Sequence, residues 1–513
     1  MDRPMPYSPP AEPSAPAVYA WPNSAVAGET ITVHGRGPSG SARVEVARVG
    51  AHRINVHSEA VSIEPHEFGA DADAFGCDWP VIATFEVGAG WWSGYYEIVL
   101  HIGGDNDDVG GASGTEVVGY IVVRNSDATS SKPLLVLTTN TWNAYNDVAG
   151  TNIYNGGTHA SFIRPISPGF LRKSDGPGSR VAVIGPPDLR MRTHVGHIRT
   201  HGLSAWSGSA GWPSWELPFV RWAEANNIEL DYAVNADLEF HPEILDNRGL
   251  YLSVGHDEYW SWGMRDTVER FIAGGGNAAF LSGNVCFWQV RLEDDGRTMV
   301  GFKQHFEDDP VYGTDRQDRL TSIWSDTLIG RPENSMNLTS FNRGGYHRIG
   351  KSIAAGAGAY TVHQPGHWLF DGTGIGRGDL LGQASTVVGY ECDGCELQLV
   401  DGVPIATGND GCPPGTVVIA TAPASPFTRE TAQRPVPDDR LSEIEFHAWR
   451  VLGSSEPDTA LKLLNGHAVL AVRDGAEGRG TVVSVGCTDW AWGLTGGDPQ
   501  IEQITRNIID RLG

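Results

Sequence analysis

The chain has 513 residues, more than one hydrophobic core sustains, so at least two domains are expected. Its 37 basic and 62 acidic residues leave a formal charge of −25, which repels phosphate backbones and anionic membrane surfaces and argues against nucleic acid or membrane as a partner. The start MDRPMPYSPPAEPSAP lacks the apolar run of a signal peptide, no later stretch reaches the roughly 18 apolar residues of a membrane span, and six cysteines are too sparse for a disulfide scaffold, so a cytoplasmic protein is expected.

Prolines at 4, 6, 9, 10, 13 and 16 make residues 1–16 an extended arm that cannot bury a core. Residues 17–126 hold short alternating runs, among them ETITVHG, ARVEVARV, YYEIVLHI and EVVGYIVVR, separated by turn-rich segments. That pattern predicts a β-sandwich of immunoglobulin-like type. The small, polar segment NSDATSSK reads as a linker. Residues 133–513 change character and read as an α/β domain. PLLVLTTNTW has the compact apolar run of a strand buried on both faces, WELPFVRWAEANN has helical spacing, and ELDYAV is strand-like. GLYLSVG, SWGMRDTVERFIAGGG and NAAFLSGN predict strand, helix and strand, with Ser261 capping a helix whose apolar stripe is Met264, Val268, Phe271 and Ile272. Such a unit implies a parallel, doubly wound sheet. Residues 292–439 read as long loops and β-rich insertions. GTVVSVGCTDW and PQIEQITRNIIDRL then close the chain as a strand with its loop and an amphipathic helix.

Open α/β sheets place their ligands beyond the carboxyl ends of the strands. The polar residues at those ends are TTNTWNAYN, GHDEYW, SGNVCFW and GCTDWAW. His256 and Glu258 stand two apart, so both can face the crevice while Asp257 turns away. A carboxylate at a crowded strand end is costly to desolvate unless a cation or several donors meet it. A His-x-Glu pair beside a cysteine nucleophile is also the arrangement of glutamine amidotransferases on a similar sheet, but Cys286 follows His256 here instead of preceding it on a tight elbow. Cys286 therefore reads first as a small buried residue.

The runs TNTWNAYN, GTNIYN, SFIRPISPG, GHDEYWS, GHWLFDGTG, VVGYECDG and GCTDWAWGL together resemble the large, catalytic subunit of N,N-dimethylformamidase and its relatives. That resemblance implies a mononuclear iron bound by two tyrosines and a glutamate with a histidine nearby, and a β-sandwich-like region ahead of a glutamine-amidotransferase-like α/β domain. Carried onto this chain, the ligands are Tyr145, Tyr154 and Glu258, and His256 is the proton carrier. For Tyr259, packing on the sheet is expected.

The implied chemistry is coherent. Ionising two phenols at pH 7 costs about 8 kcal/mol before desolvation, which only a strongly Lewis-acidic cation offsets. Two phenolates and a carboxylate are hard donors that suit ferric iron, one per chain. The expected activity is hydrolysis of the C–N bond of a small, formamide-like amide to a carboxylic acid and an amine, with Asn284 orienting the substrate or the oxyanion. The family also implies a homo-oligomer with a small accessory subunit. The alternatives are a cysteine-dependent enzyme using Cys286 and His256, and a non-catalytic binding protein. Cys392, Cys395 and Cys412 offer three thiolates for a structural zinc but no evident fourth ligand.

Overall fold

The computed structural model describes residues 15–103, 114–173, 198, 200–347, 357–426, 443–464 and 466–513. The proline-rich arm lies, but for its last two residues, outside them. Ahead of residue 126 the chain folds into two sheets. Strands β1 (Ala17–Trp21), β3 (Thr30–Arg36) and β6 (Val81–Glu86) form one, in the order β1-β3-β6. The other combines β2 (Ser24–Ala25), β4 (Gly40–Val49), β5 (Arg53–Ile63), β7 (Gly94–Ile102) and β8 (Thr115–Val123) in the order β2-β8-β7-β4-β5. Val18, Ile31, Val33 and Phe85 from the first sheet and Val44, Ile98 and Leu100 from the second share one buried core.

Side chains alternate faces along a strand, so β7 sends Tyr96, Ile98 and Leu100 into that core and Tyr95 to the opposite side. There Tyr95 stacks on Trp212 with ring centroids 4.2 Å apart, and Tyr120 meets Trp142 edge-on at 5.4 Å. Because both faces are covered, β7 is buried through most of its length. The expected linker is tied down as well. Asn125 and Ser130 donate to the Asp231 carboxylate, which also pairs with Arg248.

The second region is built on a nine-stranded sheet. Its strands are β9 (Leu134–Leu137), β10 (Asp231–Val234), β11 (Leu250–His256), β12 (Asn277–Gly283), β13 (Tyr360–Val362), β14 (Leu380–Leu381), β15 (Val417–Ala424), β16 (Gly466–Arg473) and β17 (Val482–Ser484), in the order β10-β9-β11-β12-β17-β16-β15-β13-β14. The first five in that order run parallel, and β16, β15, β13 and β14 extend the sheet antiparallel. Segment 292–439, read from sequence as loops and β-rich insertions, thus supplies three strands of this sheet. Two of the three are only three and two residues long, and the loops between them hide the order in which they pair.

Helices α1 (Thr139–Tyr145), α2 (Glu216–Ala225), α3 (Trp262–Ala273), α4 (Trp490–Thr495) and α5 (Pro499–Leu512) accompany the sheet. Helix α3 begins as expected, with the Ser261 hydroxyl accepting from the Met264 N–H, and Met264, Val268 and Ile272 are buried. Asp498 caps α5 by accepting from the Gln500 and Ile501 N–H groups. Helices α2, α4 and α5 pack together, α3 packs with the short helix Asp237–Phe240, and both groups rest on the parallel strands. The run PLLVLTTNTW divides: its apolar half is β9, and its polar half opens α1. A four-stranded sheet of His159–Ser161, Thr298–Val300, Trp288–Glu293 and Tyr259–Ser261 stands beside the carboxyl ends of β11 and β12. The protein is therefore a mixed α/β molecule of several sheets. Among the described residues, no helix is long and apolar enough to cross a membrane.

Candidate active site

Helix α1 is polar in sequence yet buried throughout, so each of its polar groups requires a partner. Thr138 Oγ1 and Trp142 Nε1 both donate to Glu216 Oε1, at 2.7 and 3.2 Å. Asn140 Nδ2 donates to the Tyr259 carbonyl at 3.0 Å and Asn143 Nδ2 to the Ala160 carbonyl at 2.9 Å. These bonds fix the helix whose last residue is Tyr145. The turn that follows is tied back to it: Asn152 Nδ2 donates to the Tyr145 carbonyl at 3.0 Å, and its Oδ1 accepts from the Tyr154 N–H at 2.8 Å. The two phenol rings stack with centroids 4.4 Å apart.

Glu258 meets them from the end of β11. Its N–H donates to Thr141 Oγ1 at 2.9 Å, and its carbonyl accepts from the N–H groups of Phe287 and Trp288 at 2.9 Å each. The Tyr154 hydroxyl donates to Glu258 Oε1 at 2.5 Å; the Tyr145 hydroxyl lies 3.0 Å from Oε2 and 2.8 Å from the Tyr154 oxygen. Two hydroxyl protons cannot serve three such contacts at once. A third proton on Glu258 or a cation completes the set. Burial, outweighing the charge of His256, raises the Glu258 pKa. Burial and then the Glu258 carboxylate hold both phenols well above the usual phenol range. The phenol oxygens stand 2.8 Å apart and each lies beside a different oxygen of Glu258, a donor set that could share protons or hold one cation. Two phenols and a carboxylate fit a hard trivalent cation. Among the described residues no group of three or more His, Cys, Asp or Glu side chains is placed to hold a metal, and this donor set is of a different kind.

Beside the phenols, His256 is fixed at both nitrogens. Nδ1 donates to the Ser209 carbonyl at 2.7 Å, and Nε2 lies 2.8 Å from Glu391 Oε2 and 3.3 Å from Glu258 Oε2. Burial by itself would lower the His256 pKa, but the Glu391 charge and hydrogen bond, with Glu258, raise it to about 9. Glu391 shifts the other way: burial is outweighed by His256 and by bonds from His256 and Asn284, so its carboxyl lies below the ordinary value. Asp257 turns away as expected, accepting from Ser253 and Asn235.

Asn284 adjoins this pair, with Nδ2 donating to Glu391 Oε2 at 2.8 Å while Oδ1 has no partner among the described residues. The atom without a partner is therefore an acceptor, which suits an N–H donor and not an oxyanion. Asn284 and Cys286 both sit in the left-handed region, at φ of 52° and 55°. The Asp393 carboxylate holds the loop there by accepting from the N–H groups of Asn284 and Val285 at 2.9 and 3.0 Å.

All five sequence-derived residues, Tyr145, Tyr154, His256, Glu258 and Asn284, come together. Three neighbours were not assigned a role from sequence. Glu391 and Asp393 lie in GYECDG, whose acidic spacing was visible without a function. Lys303 had no signal. Its ammonium stands 3.3 Å from the centroid of the Tyr154 ring and donates to the Tyr259 hydroxyl at 3.2 Å. Tyr259 is consequently part of the site wall and does more than pack. Cys286 is fully buried, which keeps its thiol well above the ordinary range; the charges acting on it are Arg265, Glu333, Glu269 and Arg331, and no hydrogen bond joins it to His256 among the described residues. Cys395 and Cys412 act on each other's thiols, whereas Cys392 lies across a bridge from Cys487, so the three thiols considered for zinc divide between two places.

The family described as N,N-dimethylformamidase beta subunit-like, C-terminal, matches residues 30–504. The N,N-dimethylformamidase beta subunit of Paracoccus aminophilus is 26% identical over 328 residues, covering 58% of this chain and 37% of its own. That of an Alcaligenes species is 26% identical over 254 residues, covering 44% of this chain and 29% of its own. These alignments thus span under two fifths of each relative. A solved chain from a study of T cell activation by the superantigen toxic shock syndrome toxin-1 is 12% identical and covers 21% of this chain and 98% of its own, at a TM-score of 0.14, too low to bear on the fold.

Proposed function

Because the chain belongs to the family of N,N-dimethylformamidase beta subunit-like C-terminal regions, we propose that it carries the catalytic site of an amidohydrolase that cleaves the C–N bond of a small amide to a carboxylic acid and an amine. One observation supports this above the others: helix α1, the turn at residue 154 and the end of β11 bring two phenols and a carboxylate within 3.0 Å of one another, beside a histidine paired with a second carboxylate. Tyr145, Tyr154 and Glu258 would hold one iron, with the rest of the fold, glutamine-amidotransferase-like in plan, serving as its frame. Ferric iron so bound supplies Lewis acidity, polarising a carbonyl and lowering the pKa of water.

The chain's own residues perform the rest. Ser209 fixes the His256 tautomer, so Nε2 is the nitrogen that exchanges protons. His256 acts from its neutral form, taking a proton from the water that adds to the carbonyl carbon and giving one to the departing nitrogen as the C–N bond breaks. Glu391 stabilises the imidazolium between those events, and Asn284 Oδ1 accepts the substrate N–H. The relatives are named beta subunits, so a further, accessory subunit belongs to the proposal, as do association of this chain with itself and a cytoplasmic setting.

Metal analysis and a visible spectrum of the purified protein, with an amine-release screen over small amides, test it. One iron per chain and a tyrosinate-to-iron absorption band are expected. Glu258→Ala is expected to lose iron and turnover together; an active, iron-replete variant would overturn the ligand set. Cys286→Ala is expected to retain activity.

A further inference from the structure

Arg164 is 2% exposed and lies outside the chemistry just described. Its Nε donates to the Ser161 carbonyl at 2.9 Å and its Nη2 to Asn143 O and Oδ1 at 3.4 and 3.3 Å, but Nη1 has no partner among the described residues. No described carboxylate stands at ion-pair distance. Asp73 and Asp147 act on the guanidinium only from further off; Asp73 accepts from Thr151, and Asp147 from Ser167 and Ser204. A second buried guanidinium, Arg36, is 1% exposed, stands over the Phe68 and Trp79 rings, and also has nitrogens without a partner. Both arginines act on the Cys77 thiol, which burial holds up at about 12, so it is neutral and supplies no countercharge.

Arg164 borders a small cavity with room for one small occupant. Tyr19, Asn23 and Tyr120 line it from the N-terminal sheets, and Asn143 and Phe162 from the other side; Arg164 is the charged residue among those lining it. Water there would meet the N–H groups but add no charge beside a buried guanidinium that Asp73 and Asp147 offset only from further off, which is costly. An anion meets both needs.

We propose that a small monovalent anion, a halide such as chloride, binds in this cavity on Arg164 Nη1 and ties the N-terminal sheets to helix α1 through Asn143. The test is the melting temperature of the full chain against rising sodium chloride, sodium bromide and sodium gluconate at matched ionic strength, with diffraction from bromide-soaked crystals. A saturable rise of a few degrees is expected in the two halides only, with an anomalous peak beside Nη1. Arg164→Met is expected to abolish the halide increment. If that variant does not fold, the salt comparison and the anomalous map on the natural sequence decide. Equal behaviour in all three salts, or water alone at Nη1, would overturn the proposal.

Discussion

Glu391 stands 2.8 Å from both His256 Nε2 and Asn284 Nδ2, so one carboxylate sets the charge of the imidazole and the orientation of the amide beside it. On the proposed mechanism, Glu391→Gln is expected to leave metal content at the wild-type level and to lose about 100-fold in kcat, the usual worth of tuned acid–base catalysis, and unchanged turnover would remove Glu391 from that mechanism. His447 gives a separate expectation. Burial, then the Lys303 ammonium, lower its pKa from 6.5 to about 3. Between those values the unfolded chain binds a proton that the folded chain refuses, so the stability present above pH 6.5 is lost as pH falls toward 3. At pH 5 the loss is about 2 kcal/mol. Denaturant unfolding at pH 7.5 and 5 is expected to show a drop smaller by that amount in His447→Gln, and equal drops would refute the assignment. His256 and Glu258 were legible because two residues apart on an extended strand end means one face. Glu391 was not, since its tie to His256 joins segments that nothing local relates.

At the scale of elements, the candidate site depends on close approach at the strand ends. A Cβ on Gly283 would stand 2.6 Å from the Thr488 N–H nitrogen and 2.7 Å from the Glu391 carbonyl, so β12 can reach the Glu391 segment only with glycine there. Gly283→Ala is expected to cost about 1–3 kcal/mol by overpacking and, by displacing Glu391 and Asn284, to lower kcat more than it raises KM. Wild-type stability in that variant would show that the backbone has slack. Strand β11, helix α3, β12 and helix α5 were readable from periodicity and caps. Helix α1 was not, because its apolar residues follow no helical stripe: it is surrounded, and its polar side chains bond to backbone supplied by other elements. Of the strands between residues 357 and 426, β13 and β14 have three and two residues and carry too little pattern to be read, while the eight residues of β15 read as part of a β-rich insertion without a place in the sheet.

Across the whole molecule, the Tyr95–Trp212 stack joins the N-terminal sheets to the core behind helix α1. Tyr95→Ala is expected to cost about 3–5 kcal/mol and to separate the unfolding of the two regions, read as non-coincident transitions by tryptophan fluorescence and far-ultraviolet circular dichroism. A single coincident transition would show that other contacts carry the coupling. The alternation of β7 announced a strand, but its burial on both faces follows only from having a second core behind it. The sequence by itself determined the two kinds of region, the strand–helix–strand unit of β11, α3 and β12, the closing helix α5 and the His256–Glu258 pair, because these follow from periods of two and 3.6 residues and from spacing within one strand end. The two phenols that meet that carboxylate were named by family resemblance and not by local pattern, and which second carboxylate holds the histidine was decided by tertiary structure alone. The physical reason is that a site at strand ends is assembled from contacts of large sequence separation, and local patterning carries no record of them.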